Sequence, residues 1–117
     1  MAIISSHTLN GSDGTHAGGI SVSLKNLNAN NYVFQTFVDN VGRLNESVSS
    51  EIIDENATYE LVFGTGHYWS SQNKFKGDTK IMEEIVIRFK ILNKDSKYHF
   101  PIILSPNSYS TWWSQGE

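Results

Sequence analysis

A period of two, repeated in short runs along the chain, constrains the fold more than any other feature. Ile20, Val22 and Leu24 alternate with Ser21, Ser23 and Lys25, the spacing of a strand with one face in a core and the other in water. The pattern returns in Val33-Phe34-Gln35-Thr36-Phe37-Val38, in Tyr59-Glu60-Leu61-Val62-Phe63 and most clearly in Glu84-Ile85-Val86-Ile87-Arg88-Phe89-Lys90-Ile91-Leu92. Ile3 to Leu9, Phe100 to Leu104 and Tyr109 to Trp113 add further candidates. Turn-forming clusters separate them: Asn10-Gly11-Ser12-Asp13-Gly14, Asn28-Ala29-Asn30-Asn31 and Lys94-Asp95-Ser96. The Asn10-Gly11 pair also reads as a deamidation site. One helix is expected, capped by the Thr65 hydroxyl, running through Tyr68-Trp69 and Gln72-Asn73 and stopping near Gly77. The stretch from Gly42 to Asn56 has no strong periodicity. These signals predict an all-β chain, a two-sheet sandwich of about seven or eight strands with one short helix.

Size and composition narrow the chemistry. The chain's 117 residues, set against roughly 100 to 200 per domain, predict one domain over residues 1–117. It has no cysteine, which removes disulfides, thiolate catalysis and Cys-ligated zinc. Nine Lys and Arg against twelve Asp and Glu give a net charge of −3, and without a basic cluster nucleic acid is not an expected partner. No apolar run approaches the roughly 20 residues of a spanning helix, so no membrane partner is expected. The opening Met1-Ala2-Ile3-Ile4-Ser5-Ser6-His7 lacks a charged and then apolar leader, and the expected location is cytoplasmic.

Histidine is the commonest general base and metal ligand, because it titrates nearest neutral pH. The four here are not spaced as His-x-His or His-x-x-x-His, so no metal site is expected. His16, beside a Gly-rich turn, and His67, near the helix start, read as exposed surface residues. His7 and His99 each lie inside an apolar strand segment, where a histidine faces either the core or a site. Arg43, following Gly42, reads on its own as a surface charge.

Five ordered blocks carry more. Ile4 to Asn10 followed by Gly14 to Leu24, then Val41-Gly42-Arg43, Tyr59 to Trp69, Glu84 to Phe89 and Tyr98 to Thr111 resemble the transthyretin-like family, whose enzymatic members are 5-hydroxyisourate hydrolases. The resemblance covers nearly the whole chain and implies a transthyretin-like two-sheet sandwich of about eight strands with one short helix, a homotetramer enclosing a channel, a small heterocyclic substrate and no cofactor. It also implies catalytic roles for His7, Arg43 and His99, which match the family's first-strand His, its Arg after Gly and the His of its Tyr-His-x-Pro segment. Carrier members of the family have apolar or small residues at these places, so the three side chains favour an enzyme.

The family's fourth element departs. Where hydrolases read Tyr-Arg-Gly-Ser, this chain has Trp112-Trp113-Ser114-Gln115, and Ser110, Trp112, Trp113 and Ser114 are the expected substrate-binding residues. Smaller departures place Thr15-His16 where Arg-Pro is usual, Val41 for an Asp before Gly42, and Gly64 for an Asp at the helix entry. The two indoles bring apolar surface and no charge; they are either ordinary packing of a last strand or a changed specificity. Three functions follow: hydrolysis of 5-hydroxyisourate, acid/base chemistry on another cyclic amide, imide or lactam, and noncatalytic binding of an aromatic ligand.

Overall fold

The computed structural model describes residues 1–72 and 80–115. Among the described residues, eight strands form two four-stranded sheets. In chain order they are β1 (Ala2–Asn10), β2 (Ser21–Asn26), β3 (Asn31–Phe37), β4 (Arg43–Val48), β5 (Tyr59–Gly64), β6 (Ile85–Phe89), β7 (Lys97–Ser105) and β8 (Ser108–Thr111). One sheet runs β4-β1-β7-β8 and the other β3-β2-β5-β6. The β1–β7 pair is parallel, while the other strand pairs are antiparallel. The helix α1 (Thr65–Ser70) follows β5, and a single 3-10 turn (Ser50–Ile52) follows β4.

In β1, β2, β5 and β7 the alternation read from the sequence is the alternation of burial; in β3 it is not, since Phe37 is exposed and the adjacent Val33 and Phe34 are both half-buried. Ile4, Val22, Leu24, Leu61, Phe63, Ile85, Phe100, Ile102 and Leu104 all point between the sheets and are buried. Trp69 of α1 is among the largest side chains in this core. Burying such residues at roughly 25 cal/mol per Å² of apolar area holds the two sheets together.

Three expectations are corrected. The stretch after Gly42 contains β4, whose signal was faint because only Leu44 and Val48 of its six residues are buried apolar side chains. The helix begins one residue earlier than expected: Gly64 is its N-cap without a side-chain bond, and Thr65 is a buried first-turn residue. It ends at Ser70; the expected stop near Gly77 lies outside the described residues. Asn10 is buried and its amide is engaged: Oδ1 accepts from the Ser12 and Asp13 N–H groups, and Nδ2 donates to the Tyr68 hydroxyl. This is an Asx-type turn that fixes the end of β1, and the Gly11 N–H, whose nitrogen would attack in deamidation, is held by the Leu104 carbonyl at 2.6 Å.

The inner face of β1 becomes polar toward its end, and each polar group is satisfied. Ser6 donates to the Phe100 carbonyl, and Thr8 donates to the carbonyls of Ala17 and Gly42. Gly42 sits at φ 78°, and a Cβ there would meet the Thr8 carbonyl oxygen at 2.3 Å. Only glycine brings the β3–β4 connection this close to β1. Gly42→Ala is expected to cost about 2 to 4 kcal/mol, combining left-handed backbone strain with a backbone clash. A thermal melt should show the loss, and an unchanged midpoint would mean that the connection moves aside without cost.

Candidate active site

The outer face of the β4-β1-β7-β8 sheet collects the chemistry-bearing residues because of register. On β1 the outward side chains are Ile3, Ser5, His7 and Leu9, each half-buried. Antiparallel pairing sets Arg43 of β4 directly opposite His7. Parallel pairing sets His99 of β7 opposite Ser5. Since residues two apart on a strand share a face, His7, Arg43 and His99 come together on one surface.

Each is held differently. The His99 ring is tied through Nδ1 to the Ser5 hydroxyl at 2.8 Å. Its backbone exchanges two 2.9 Å hydrogen bonds with Ser114. The His7 ring is held through Nε2, which lies 3.1 Å from the Val41 carbonyl oxygen. A carbonyl only accepts, so Nε2 of neutral His7 carries the hydrogen and Nδ1 is its basic nitrogen. The turn presenting Val41 and Arg43 is organised by Asp39, whose Oδ1 accepts from both their backbone N–H groups at 3.0 and 2.9 Å.

Burial is the main reason that His7 titrates below the ordinary imidazole range; the Arg43 guanidinium, His16 and His99 act in the same direction, against the Val41 carbonyl, which raises it. A histidine so placed is neutral at neutral pH and ready to accept a proton.

An open groove of roughly 600 Å³, within the size range of small-ligand sites, is lined by Arg43 and His99, while His7 is not among its lining residues. Its lining includes Ser5, Arg43, Asn45, Lys97, His99, Ser114 and Gln115. Arg43, Lys97 and an imidazole along one depression suit a ligand that carries or develops negative charge.

The residues expected to bind substrate divide. Ser114 lines the groove; Ser110, Trp112 and Trp113 are not among its lining residues. Ser110 pairs with Ile103 further along β7. Both indoles are about half exposed, and the Trp113 ring packs against that of Tyr98 at 6.4 Å between centroids.

Sequence reasoning missed Ser5, Asn45, Lys97 and Gln115 of the lining, and also His16. The last is exposed as expected, but its Nδ1 lies 3.1 Å from His7 Nε2. The signal for Ser5 was its position two before His7 on an alternating strand. That for His16 was the turn signature at Asn10–Gly14, which folds the chain back so that His16 bridges Leu9. Among the described residues no group of three or more His, Asp or Glu could hold a metal ion.

The fold and site together define a β-sandwich whose outer sheet face carries imidazoles and a guanidinium at the edge of a small-molecule groove. The sequence pattern of the HIUase/transthyretin family matches residues 4–113, and the chain belongs to that family. Among similar proteins, the 5-hydroxyisourate hydrolase of Pseudomonas aeruginosa is 27% identical over 96% of this chain and 90% of its own length. The 5-hydroxyisourate hydrolase 2 of Rhizobium meliloti is 32% identical over 93% of this chain and 92% of its own. The solved structure of Klebsiella pneumoniae 5-hydroxyisourate hydrolase has a TM-score of 0.77 at 24% identity, covering 97% of this chain and 99% of that one.

Proposed function

We propose that this protein is a hydrolase that opens a cyclic amide ring by addition of water, with 5-hydroxyisourate as its substrate. The observation that carries the reading is the convergence of His7, Arg43 and His99 on one sheet face beside a cationic groove. Near-full-length similarity to proteins that bear that activity supports it.

The reaction needs a base for the water, a donor to the developing oxyanion and a proton for the departing nitrogen. His7, kept neutral by burial and by Arg43, is the base, acting through Nδ1. Arg43 is the fixed cation that stabilises the oxyanion, where it requires no reorganisation during the reaction. His99, oriented through Nδ1 by Ser5, delivers the proton to the nitrogen. Ser114 and Gln115 at the groove wall contact substrate where other hydrolases of the family present Gly and Ser.

A second reading, the same chemistry on a different ring amide, is favoured by one observation. The half-exposed Trp112 and Trp113 bring apolar surface to the end of β8 in place of the family's Tyr and Arg. Exposed Ile103 and Tyr109 lie close by in sequence and pairing. These surfaces support a homotetrameric assembly in which a second copy covers them. The match over residues 4–113 supports reading the chain as one domain. A cytoplasmic location remains part of the proposal.

The test is the ultraviolet decay of freshly generated 5-hydroxyisourate with and without purified protein. Rapid decay that is saturable in substrate is the expected result. Decay at the spontaneous rate sinks this substrate and turns the search to other cyclic amides and imides.

A further inference from the structure

Ring opening by water has a proton balance that the three side chains above do not close. Water adds to the carbonyl carbon, the ring C–N bond breaks, and the products are an N–H group and a carboxylic acid. One of the water's hydrogens ends on the nitrogen. The other is shed, because a carboxylic acid with a pKa of about 4 is ionised at neutral pH. In sequence, the base takes a proton from the attacking water, and the proton donor to nitrogen regains its own from the new carboxyl group. The surplus proton is left on the base, and each turnover must pass one proton from there to bulk solvent.

The base, His7, is half-buried beneath the Gly42 turn, with Arg43 facing it from β4 and His99 from β7. Neither direction favours departure of a proton: a guanidinium cannot accept one, and His99 is the donor to the nitrogen. The remaining titratable neighbour is His16 on the β1–β2 connection. Its ring lies 5.2 Å from that of His7 between centroids, tilted by 33°, with Nδ1 at 3.1 Å from His7 Nε2.

Tautomer logic sets the direction of transfer. The Val41 carbonyl fixes the hydrogen of neutral His7 on Nε2, so the nitrogen of His16 that faces it is the acceptor, and His16 carries its own hydrogen on Nε2. His16 is also exposed to solvent. Its backbone is held in place by a bridge to Leu9, and the adjoining Ala17 N–H bonds to the Thr8 carbonyl at 3.0 Å.

We propose that His16 is the proton outlet of this site, a positioning and relay residue that carries the surplus proton from His7 to bulk water. When His7 takes a proton at Nδ1, its Nε2–H bond breaks as the hydrogen passes to Nδ1 of His16. His16 then releases its Nε2 hydrogen to solvent. One proton enters and one leaves, and ring rotation or exchange restores both tautomers. The proposal rests on the ring-amide hydrolase reading. It concerns a position where the family pattern usually has proline.

The experiment compares wild-type protein with His16→Ala and His16→Gln on 5-hydroxyisourate, in weak and then concentrated imidazole buffer. Thermal melts confirm that both variants fold. In weak buffer kcat is expected to fall about tenfold, less than the roughly 10² to 10⁴ of a group that moves a proton in the chemical step itself, with KM little changed. Imidazole should restore most of the loss in His16→Ala, and glutamine, which cannot relay a proton, should not rescue it in weak buffer. A merely structural role would give a loss that buffer does not repair, and that result overturns the outlet, as does a kcat unchanged in His16→Ala. If the wild-type protein itself gives no turnover, the hydrolase reading falls and takes the outlet with it. Turnover that is indifferent to His16 removes the outlet alone.

Discussion

Replacing His99 by alanine is expected to lower kcat on 5-hydroxyisourate by about 10² to 10⁴, the usual contribution of a positioned acid–base side chain. The structure separates this loss from unfolding. What ties β7 to the chain's end at this point is backbone: His99 and Ser114 exchange two main-chain hydrogen bonds, and alanine keeps both. The side chain is half-buried on the outer face, away from the core. The surrendered Ser5 hydroxyl bond is worth about 1 kcal/mol in stability. Circular dichroism melts and steady-state decay rates on the same preparation are the measurements. Removing Ser5 instead leaves the imidazole present without its Nδ1 hydrogen bond to that hydroxyl, and should cost less than removing the ring. A His99→Ala enzyme that turns over at close to the wild-type rate would exclude His99 as the proton donor.

The strands were legible where alternation was strong and the site where it coincided with a histidine. Ile85 to Phe89 could be assigned because every position but Arg88 is β-branched or aromatic, even though Val86 is exposed. Arg43 to Val48 could not, since Asn45, Glu46 and Ser47 dilute the two apolar positions and the strand is held by pairing with β1 rather than by its own composition. Tertiary context decides such edge strands. His7 and His99 stood out for a physical reason: an imidazole inside an apolar strand needs a purpose or a partner. His16 had no such mark. Its role depends on a turn that places residue 16 beside residue 9, and the distance between two side chains across a turn is not a property of either segment.

The tryptophan pair shows the limit from the other side. Its chemistry was readable, but its direction was not, because the end of β8 keeps pairing with β7 past Thr111. That register brings Ser114 to His99 and lets Trp113 settle on Tyr98. The polar wall of the groove is thus made by Ser114 and Gln115, residues whose types alone carry little signal. Lys97 belongs to the same class: a surface lysine by composition, and a contributor to the groove's positive lining only through the parallel register that sets it beside Ile3.

Arg43 is the residue for which rate and titration can be made to report together. Arg43→Ala is expected to lower kcat/KM by about 10² to 10³, the range for losing one donor to a developing oxyanion. Arg43→Lys should recover only part, since an ammonium keeps the charge without the planar fork. The same substitution removes the second largest cause of the low His7 titration, leaving burial as the first. The His7 midpoint therefore rises toward the ordinary imidazole value of 6.5. With neutral His7 as the proposed base, the acid limb of kcat/KM is expected below pH 6.5 in the wild type and should move up in the variant. Stability has a matching sign. A histidine whose folded-state pKa is depressed contributes stability that is present above its unfolded value and lost as pH falls through the folded one. In the wild type that loss runs from 6.5 downward, and in Arg43→Ala the window narrows. An NMR titration of the His7 ring beside a pH–rate profile would follow both quantities. A lower rate with an unmoved His7 midpoint would keep Arg43 as oxyanion donor while denying it any part in holding the base neutral; a moved midpoint with an unchanged rate at neutral pH would do the reverse.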